Sequence, residues 1–92
     1  MSDETPARLR FCLYIAGDWP NSQRALVNLR AIMADLEAEL EVVDALEDPE
    51  RGMRDGAFVT PMLIRLDPPP KRVIVGDLSD RLMVLAALFE GH

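Results

Sequence analysis

The chain contains very few of the residues on which enzymes most often rely. Its 92 residues include one cysteine, Cys12, and one histidine, His92, which is the last residue. A single cysteine forms no internal disulfide, and a lone terminal histidine supplies neither a catalytic triad nor a histidine-rich metal site. No run of apolar residues approaches the roughly 20 that a membrane-spanning helix requires. We therefore expect no disulfide framework, no metal, no cofactor and no membrane span.

Positive charge is also scarce. Ten lysine and arginine residues stand against sixteen aspartate and glutamate residues, which gives a net charge of -6 at pH 7. Binding to nucleic acid is driven largely by lysine and arginine side chains that displace counterions from phosphates, so we expect no nucleic-acid partner. The first seven residues are polar and acidic and lack the basic start and apolar centre of a secretory signal, which predicts a cytoplasmic protein.

The length and the apolar content of the chain indicate one domain. With 49% apolar residues, the 92 residues are enough to fill one core and too few to fill two. We expect residues 1–7 to form a disordered extension and residues 8–92 to form the domain.

The first half of the chain predicts a βαβ unit. Residues 9–15 are rich in aromatic and β-branched side chains and too short for a typical helix, which indicates a strand buried on both faces. After a turn, Asn21 or Ser22 is expected to cap a helix whose apolar residues recur at steps of three and four up to Leu40. Residues 41–46 predict a second strand, parallel to the first.

The second half predicts a short helix, a hairpin and a last helix. Asp48, before a proline, is a favourable helix start, and Gly56 is placed to end that helix in a left-handed conformation. Residues 62–66 and 72–75 flank a proline-rich connection and predict an antiparallel hairpin. Ser79 is expected to cap the last helix. The apolar stripe of that helix is expected to consist of Leu82, Leu85, Ala86 and Phe89.

The element order βαβαββα is that of thioredoxin-like domains, so we predict an α/β fold with a four-stranded mixed sheet and three helices. In such domains a redox cysteine pair lies between the first strand and the first helix, whose N-terminus lowers the thiol pKa. Residues 17–22 of this chain contain no cysteine, and Cys12 is expected to be buried and inert. The alternative is a thioredoxin-like oxidoreductase or a glutathione-using enzyme, but we expect no enzyme and no catalytic residue.

Trp19 is the most conspicuous residue of the loop that lacks cysteine. Tryptophan is enriched at interface hot spots, so Trp19 on a loop at the end of a sheet is a candidate anchor for a partner. The alternative is that its ring folds back over the edge of the core.

Several motifs, in order and at matching spacing, resemble the KaiB family from about residue 8 to residue 88. They are Leu-Tyr-Ile-Ala-Gly at 13–17, Pro-Asn-Ser at 20–22, Thr60-Pro61, three prolines at 68–70, and Ile-Val-Gly-Asp-Leu-Ser at 74–79. The resemblance implies a regulatory protein of a bacterial circadian clock that binds a KaiC-type ATPase. A KaiA-like protein and a sensor histidine kinase are the other partners that it implies.

The resemblance also implies roles for individual residues. It implies a structural cis peptide bond before Pro61. The surface that faces the KaiC-type ATPase falls on the second helix and on the strand after it, and Arg24 on the first helix lies on the side associated with KaiA-like proteins. The positions on the ATPase-facing surface are Glu50, Arg54, Gly56 and Arg65.

KaiB proteins are metamorphic, since a resting tetrameric form interconverts with a thioredoxin-like form that binds KaiC. Ala87 and Phe89 stand where clock-type members have a glycine and an aspartate. Alanine favours a helix over glycine by about 1 kcal/mol, and Phe89 is expected to add buried apolar area to the last helix. We therefore predict a chain held mainly in the thioredoxin-like form, as a monomer or a homo-oligomer.

Overall fold

The computed structural model of the protein describes residues 9–89, which form four strands and three helices. Their bounds are β1 (Leu9–Ile15), α1 (Pro20–Met33), β2 (Ala38–Asp44), α2 (Pro49–Arg54), β3 (Met62–Asp67), β4 (Arg72–Val75) and α3 (Arg81–Phe89). The predicted order βαβαββα is confirmed. The predicted disordered extension, residues 1–7, lies outside the described residues. Within residues 9–89, no helix has both the length and the apolar character needed to span a bilayer.

The four strands form one mixed sheet in the order β2-β1-β3-β4. β1 is parallel to β2 and antiparallel to β3, and β4 is antiparallel to β3. The predicted parallel pair and the predicted hairpin are thus both confirmed. β1 occupies a central position in which residues 11–15 are all buried, as its continuous apolar run predicts.

Each face of the sheet carries its own core, because successive side chains of a strand point to opposite faces. α1 and α3 cover one face, whose buried residues are Phe11, Leu13, Ile15, Ala25, Leu29, Ile32, Leu63, Ile74, Leu78, Val84 and Leu88. The short helix α2 lies on the other face. The smaller buried cluster on that face consists of Cys12, Tyr14, Val43, Ala57, Met62 and Ile64.

The start of α1 differs from the prediction. The helix begins at Pro20, where the missing N–H has no helical partner to lose. Trp19 is the N-cap residue and its side chain makes no capping hydrogen bond. Ser22 instead accepts a hydrogen bond at Oγ from the N–H of Ala16, at 2.9 Å. The predicted caps, Asn21 or Ser22, are therefore wrong.

The end of α1 also differs from the prediction. Apolar residues continue the helical spacing as far as Leu40, but the helix ends at Met33 and β2 already begins at Ala38. In the strand, Leu40 packs against the core that α1 covers. The same apolar residue thus fits either a helical or a strand period, and pairing with β1 decides between them.

α2 begins and ends as predicted. Asp48 is the N-cap residue, and its Oδ1 accepts a hydrogen bond from the N–H of Arg51 at 3.2 Å. Gly56 follows the helix with a φ of +77°, the left-handed conformation predicted for it. A helix of six residues is too short to be stable in isolation, so α2 depends on its contacts with the sheet.

α3 buries a different stripe from the one predicted. Val84 and Leu88 are completely buried, whereas Leu82 is 80% exposed and Phe89 is also exposed. The expected contribution of Phe89 to the buried stripe is therefore wrong, while Ala87 is half-buried against the core. Residues 82–89 are all apolar, so their pattern does not distinguish one face of the helix from another, and packing on the sheet selects the buried face.

The residue that caps α3 is Asp80 and not the predicted Ser79. Oδ1 of Asp80 accepts a hydrogen bond from the N–H of Met83 at 3.1 Å. The N–H of Ser79 is itself bound by Asp77 Oδ1, also at 3.1 Å. Two aspartates three residues apart thus bind N–H groups at the start of the helix and in the turn that leads into it.

The burial of α3 predicts unequal effects for two leucines of the same helix. Leu88→Ala removes a completely buried side chain and leaves a cavity, so it should lower the free energy of unfolding by about 2–5 kcal/mol. Leu82→Ala, the matched control, should change it by less than about 0.5 kcal/mol because Leu82 is exposed. Urea unfolding followed by circular dichroism measures both. A larger loss for Leu82→Ala would contradict this orientation of the helix.

Candidate partner-binding surface

The position that holds the redox cysteines in thioredoxin-like domains is occupied here by residues without a thiol. The loop between β1 and α1 contains no cysteine, and Cys12 is buried in the middle of β1. Burial raises the pKa of the Cys12 thiol and so disfavours the thiolate. Among residues 9–89, no group of three histidine, cysteine or acidic residues is arranged to hold a metal ion. The features that suggest a function lie instead on the surface.

Three loops meet at one end of the sheet, where the connection between β4 and α3 also lies because Val75 pairs with Met62. β1 and β2 end side by side, since Ile15 pairs with Asp44, and β3 begins next to the end of β1, since Met62 pairs with Tyr14. The connections β1–α1, β2–α2 and α2–β3 therefore share this end. They carry four large apolar side chains, each with 57–75% of its surface exposed. We call these side chains, together with the outer side of α2, the loop-end surface; the four are Trp19, Leu46, Phe58 and Val59.

Asp44 ties the first two of these loops together. Its Oδ1 accepts hydrogen bonds from the N–H groups of Gly17 at 3.1 Å and Leu46 at 2.9 Å. Gly17 has a φ of +56°, and a Cβ at that position would lie 3.6 Å from Leu46 Cδ1. Leu46 and Trp19 thus project from two loops held in contact. The ring of Trp19 is exposed and does not fold back over the core.

Tyr14 anchors the end of α2 to the sheet. Its side chain is completely buried, and its hydroxyl donates a hydrogen bond to the Asp55 carboxylate and lies 3.4 Å from the carbonyl oxygen of Arg51. Burial, together with the contact with Asp55, raises the pKa of Tyr14 well above its usual value. The hydroxyl therefore stays protonated and acts as a fixed donor beneath the helix.

Arg51 anchors the middle of α2 to β2. Its guanidinium donates two hydrogen bonds to the Glu41 carboxylate, at 2.5 and 2.6 Å, which is the bidentate geometry that fits a planar guanidinium best. The hydrogen bonds from Arg51 lower the pKa of Glu41. Together with the Tyr14 contact, this ion pair fixes the orientation of a helix too short to be stable alone.

Three of the residues that the family resemblance implies lie on the loop-end surface. Glu50 and Arg54 are on α2 and Gly56 follows it, and all three are exposed. Neither the Glu50 nor the Arg54 side chain makes a hydrogen bond or an ion pair with another residue of the described chain. The peptide bond before Pro61, at the end of the same loop, is cis, which is the geometry that the resemblance implies.

Arg65 lies away from the loop-end surface, and its expected contact with a partner stays a prediction. It points to the sheet face covered by α3 and is only 7% exposed. Its guanidinium donates hydrogen bonds to the carbonyl of Leu88, near the end of α3, and to that of Pro70, at 2.8 Å. Arg65 thus joins the last helix to the β3–β4 hairpin, and it has little surface to offer a partner.

Arg24 is half-exposed on α1 and takes part in an internal contact. Its Nε lies 3.5 Å from Asp77 Oδ2 in the connection between β4 and α3. Asn28, one turn further along α1, donates a hydrogen bond to the carbonyl of Asp77 at 2.8 Å. Hydrogen bonds from Ser79, with a smaller effect of Arg24, lower the pKa of Asp77. Arg24 therefore helps to hold this connection against α1 while its side chain stays accessible.

Most of the apolar part of the loop-end surface was not predicted from the sequence. Trp19 was a candidate, but Leu46, Phe58 and Val59 were not. The available signal was the presence of large apolar residues inside segments predicted to be loops. Such residues are more often exposed than those in strands, and several of them at one end of a sheet indicate an interaction site.

The Arg51–Glu41 ion pair predicts a pH-dependent contribution to stability. Because the pKa of Glu41 is lowered on folding, the pair stabilises the protein above the unfolded pKa of about 4.5, and this stabilisation disappears as pH falls through the lowered folded pKa. Glu41→Gln should therefore destabilise the protein at pH 7 and have a smaller effect near pH 3. Thermal unfolding at the two pH values measures this difference.

The control for this experiment is Glu37→Gln, which removes an exposed carboxylate away from α2. It should change the unfolding temperature little at either pH. An effect of Glu41→Gln that stayed the same from pH 7 to pH 3 would contradict the role assigned to the ion pair.

Two comparisons show the fold of the chain. It superposes on the N-terminal domain of Synechococcus elongatus SasA with a TM-score of 0.74 and 24% identity, covering all of this chain and 94% of that one. It superposes on the thioredoxin Deadhead of Drosophila melanogaster with a TM-score of 0.73 and 13% identity, covering 89% and 81% of the two chains. The predicted thioredoxin-like fold is confirmed.

Sequence comparisons show the family. The KaiB domain model matches residues 12–88. The chain is 47% identical over 79 residues to a circadian clock oscillator protein KaiB of Prochlorococcus marinus, covering 83% of this chain and 68% of that protein. It is 48% identical over 82 residues to the KaiB of Parasynechococcus marenigrum, covering 83% and 76%. The chain, a thioredoxin-like domain without the redox cysteines, therefore belongs to the KaiB family.

Proposed function

We propose that the chain is a non-enzymatic regulatory protein that binds a KaiC-type ATPase through the loop-end surface. We expect it to act in the cytoplasm, in clock, timing or stress signalling. Membership of the KaiB family supports a role in regulation. The observation that carries the choice of surface is the exposure of Trp19, Leu46, Phe58 and Val59 on loops at one end of the sheet.

Large exposed apolar side chains in a small domain need an explanation. Complete burial of one such side chain is favourable by about 1.5–3 kcal/mol, and folding does not provide this stabilisation at the four loop positions. A partner that covers the side chains would gain it as binding free energy. Trp19 and Phe58 are the largest of the four and are therefore the expected anchors, with Glu50, Arg54 and Gly56 beside them on α2.

Membership of the KaiB family also supports two other partners. A KaiA-like protein is expected on the side of Arg24, which is accessible although it also contacts Asp77. A sensor histidine kinase with a domain of this fold is expected to compete for the ATPase. We also propose that the thioredoxin-like form, in which residues 81–89 are helical, is the form that binds.

The proposal is tested by measuring the affinity of the purified chain for the KaiC-type ATPase of its own organism. Trp19→Ala and Phe58→Ala should each weaken binding by about tenfold or more, since each removes a candidate hot-spot side chain. Val27→Ala is the matched control, because Val27 is as exposed as Trp19, at 67%, but lies on the solvent-facing side of α1. It should leave the affinity within about twofold of the original.

Two results would reject the proposal. One is the absence of binding by the unaltered protein. The other is an equal loss of affinity in Val27→Ala, which would show that the loop-end surface has no special part. Reduction of insulin by the purified chain, abolished by Cys12→Ser, would favour the thioredoxin-like enzyme instead.

A further inference from the structure

The loop-end surface has an unbalanced charge. Its three loops and α2 span residues 16–19 and 45–61, which contain five carboxylates and two guanidinium groups. The acidic residues are Asp18, Glu47, Asp48, Glu50 and Asp55, and the basic residues are Arg51 and Arg54.

Three of these seven charged side chains make hydrogen bonds within the chain. Arg51 is paired with Glu41 of β2 through two short hydrogen bonds. The carboxylate of Asp48 caps α2, and that of Asp55 accepts a hydrogen bond from the hydroxyl of Tyr14. These contacts hold α2 in position, and the other four charged side chains remain.

The other acidic residues serve no internal contact. Asp18, Glu47 and Glu50 are exposed, and none of their carboxylates makes a hydrogen bond or an ion pair with another residue of the described chain. Arg54, on α2, is the one basic residue of ranges 16–19 and 45–61 whose side chain likewise makes no hydrogen bond or ion pair within the described chain. Asp18 is adjacent to Trp19 in sequence, and Glu47 is adjacent to Leu46. Two carboxylates without an internal partner thus stand next to exposed apolar residues.

We propose that the partner docks on the loop-end surface with an apolar patch rimmed by lysine and arginine side chains, and that the acidic rim of this chain selects that partner. The inference rests on the proposed function, because it assigns the chemistry of the partner at the same surface. Opposite charges around an apolar centre accelerate association and exclude wrong partners more than they raise affinity. The apolar side chains hold the complex, and the carboxylates steer its formation.

The same charge distribution disfavours other occupants of this surface. Nucleic acid and the cytoplasmic face of a membrane are anionic and are repelled by exposed carboxylates. A symmetric contact between two copies would place the loop-end surface against itself and bring like charges together. A protein partner with an apolar patch and a basic rim complements both the exposed apolar side chains and the carboxylates of the loop-end surface.

The test reverses the charge at two loop positions, Asp18→Lys with Glu47→Lys. The matched control is Asp35→Lys with Glu37→Lys, which makes the same change of net charge with two exposed residues between α1 and β2, at the opposite end of the sheet. The association rate constant with the KaiC-type ATPase is measured at low and at high salt, and urea unfolding checks that both variants are folded.

The charge-reversed variant should associate about tenfold more slowly than the unaltered protein at low salt, and the difference should shrink at high salt because the interaction is screened. The control variant should stay within about twofold. If the ATPase binds but both variants associate alike, or if reversal accelerates association, the inference about the partner's charge is overturned while the proposed function stands.

If the unaltered chain does not bind the ATPase, the proposed function fails and the charge inference is tested with defined peptides. The probe is an amphipathic helical peptide of leucine and lysine, and its control is the same pattern with glutamate in place of lysine. Binding of the lysine peptide alone, lost in the charge-reversed variant, would uphold the inference. Equal binding of both peptides, or binding of neither, would overturn it.

Discussion

The burial of β1 on both of its faces is the constraint on which the rest of the structure depends. β1 pairs with β2 on one side and with β3 on the other, so both edges of the strand are hydrogen-bonded. Its side chains alternate between the core under α1 and α3, represented by Leu13, and the core under α2, represented by Tyr14. Because the side chains on both faces of the strand are apolar, both faces must be shielded from water by helices. A three-layer arrangement follows.

The candidate surface is a consequence of where β1 ends. The loops after β1 and β2 and the loop before β3 meet there, and Asp44 ties two of them together. The anchoring of α2 by Tyr14 and Arg51 lets a very short helix keep a defined position. These loops pack little of the core, so their large apolar and acidic side chains are available to a partner. Residues that hold the fold together and exposed residues without an internal partner thus lie close together at this end of the sheet.

A thioredoxin-like fold does not require the redox cysteines, because the fold depends on the sheet and its cores while disulfide exchange depends on one loop. In this chain that loop presents Trp19, and the remaining thiol, Cys12, is enclosed in the core where burial keeps it protonated. The same end of the sheet that would hold a reactive thiolate carries exposed apolar side chains instead.

The sequence by itself determined the order of the elements, the cap of α2 at Asp48 and the left-handed Gly56, because these depend on neighbouring residues and on short-range backbone preferences. Only the tertiary structure decided that β2 begins at Ala38, since a helical and a strand period fit the same apolar residues until pairing with β1 is known. Burial of Arg65 was likewise not predictable, because the carbonyls that receive its guanidinium come from the distant α3 and from the proline hairpin. The position of such partners is a property of the folded chain and has no local signal.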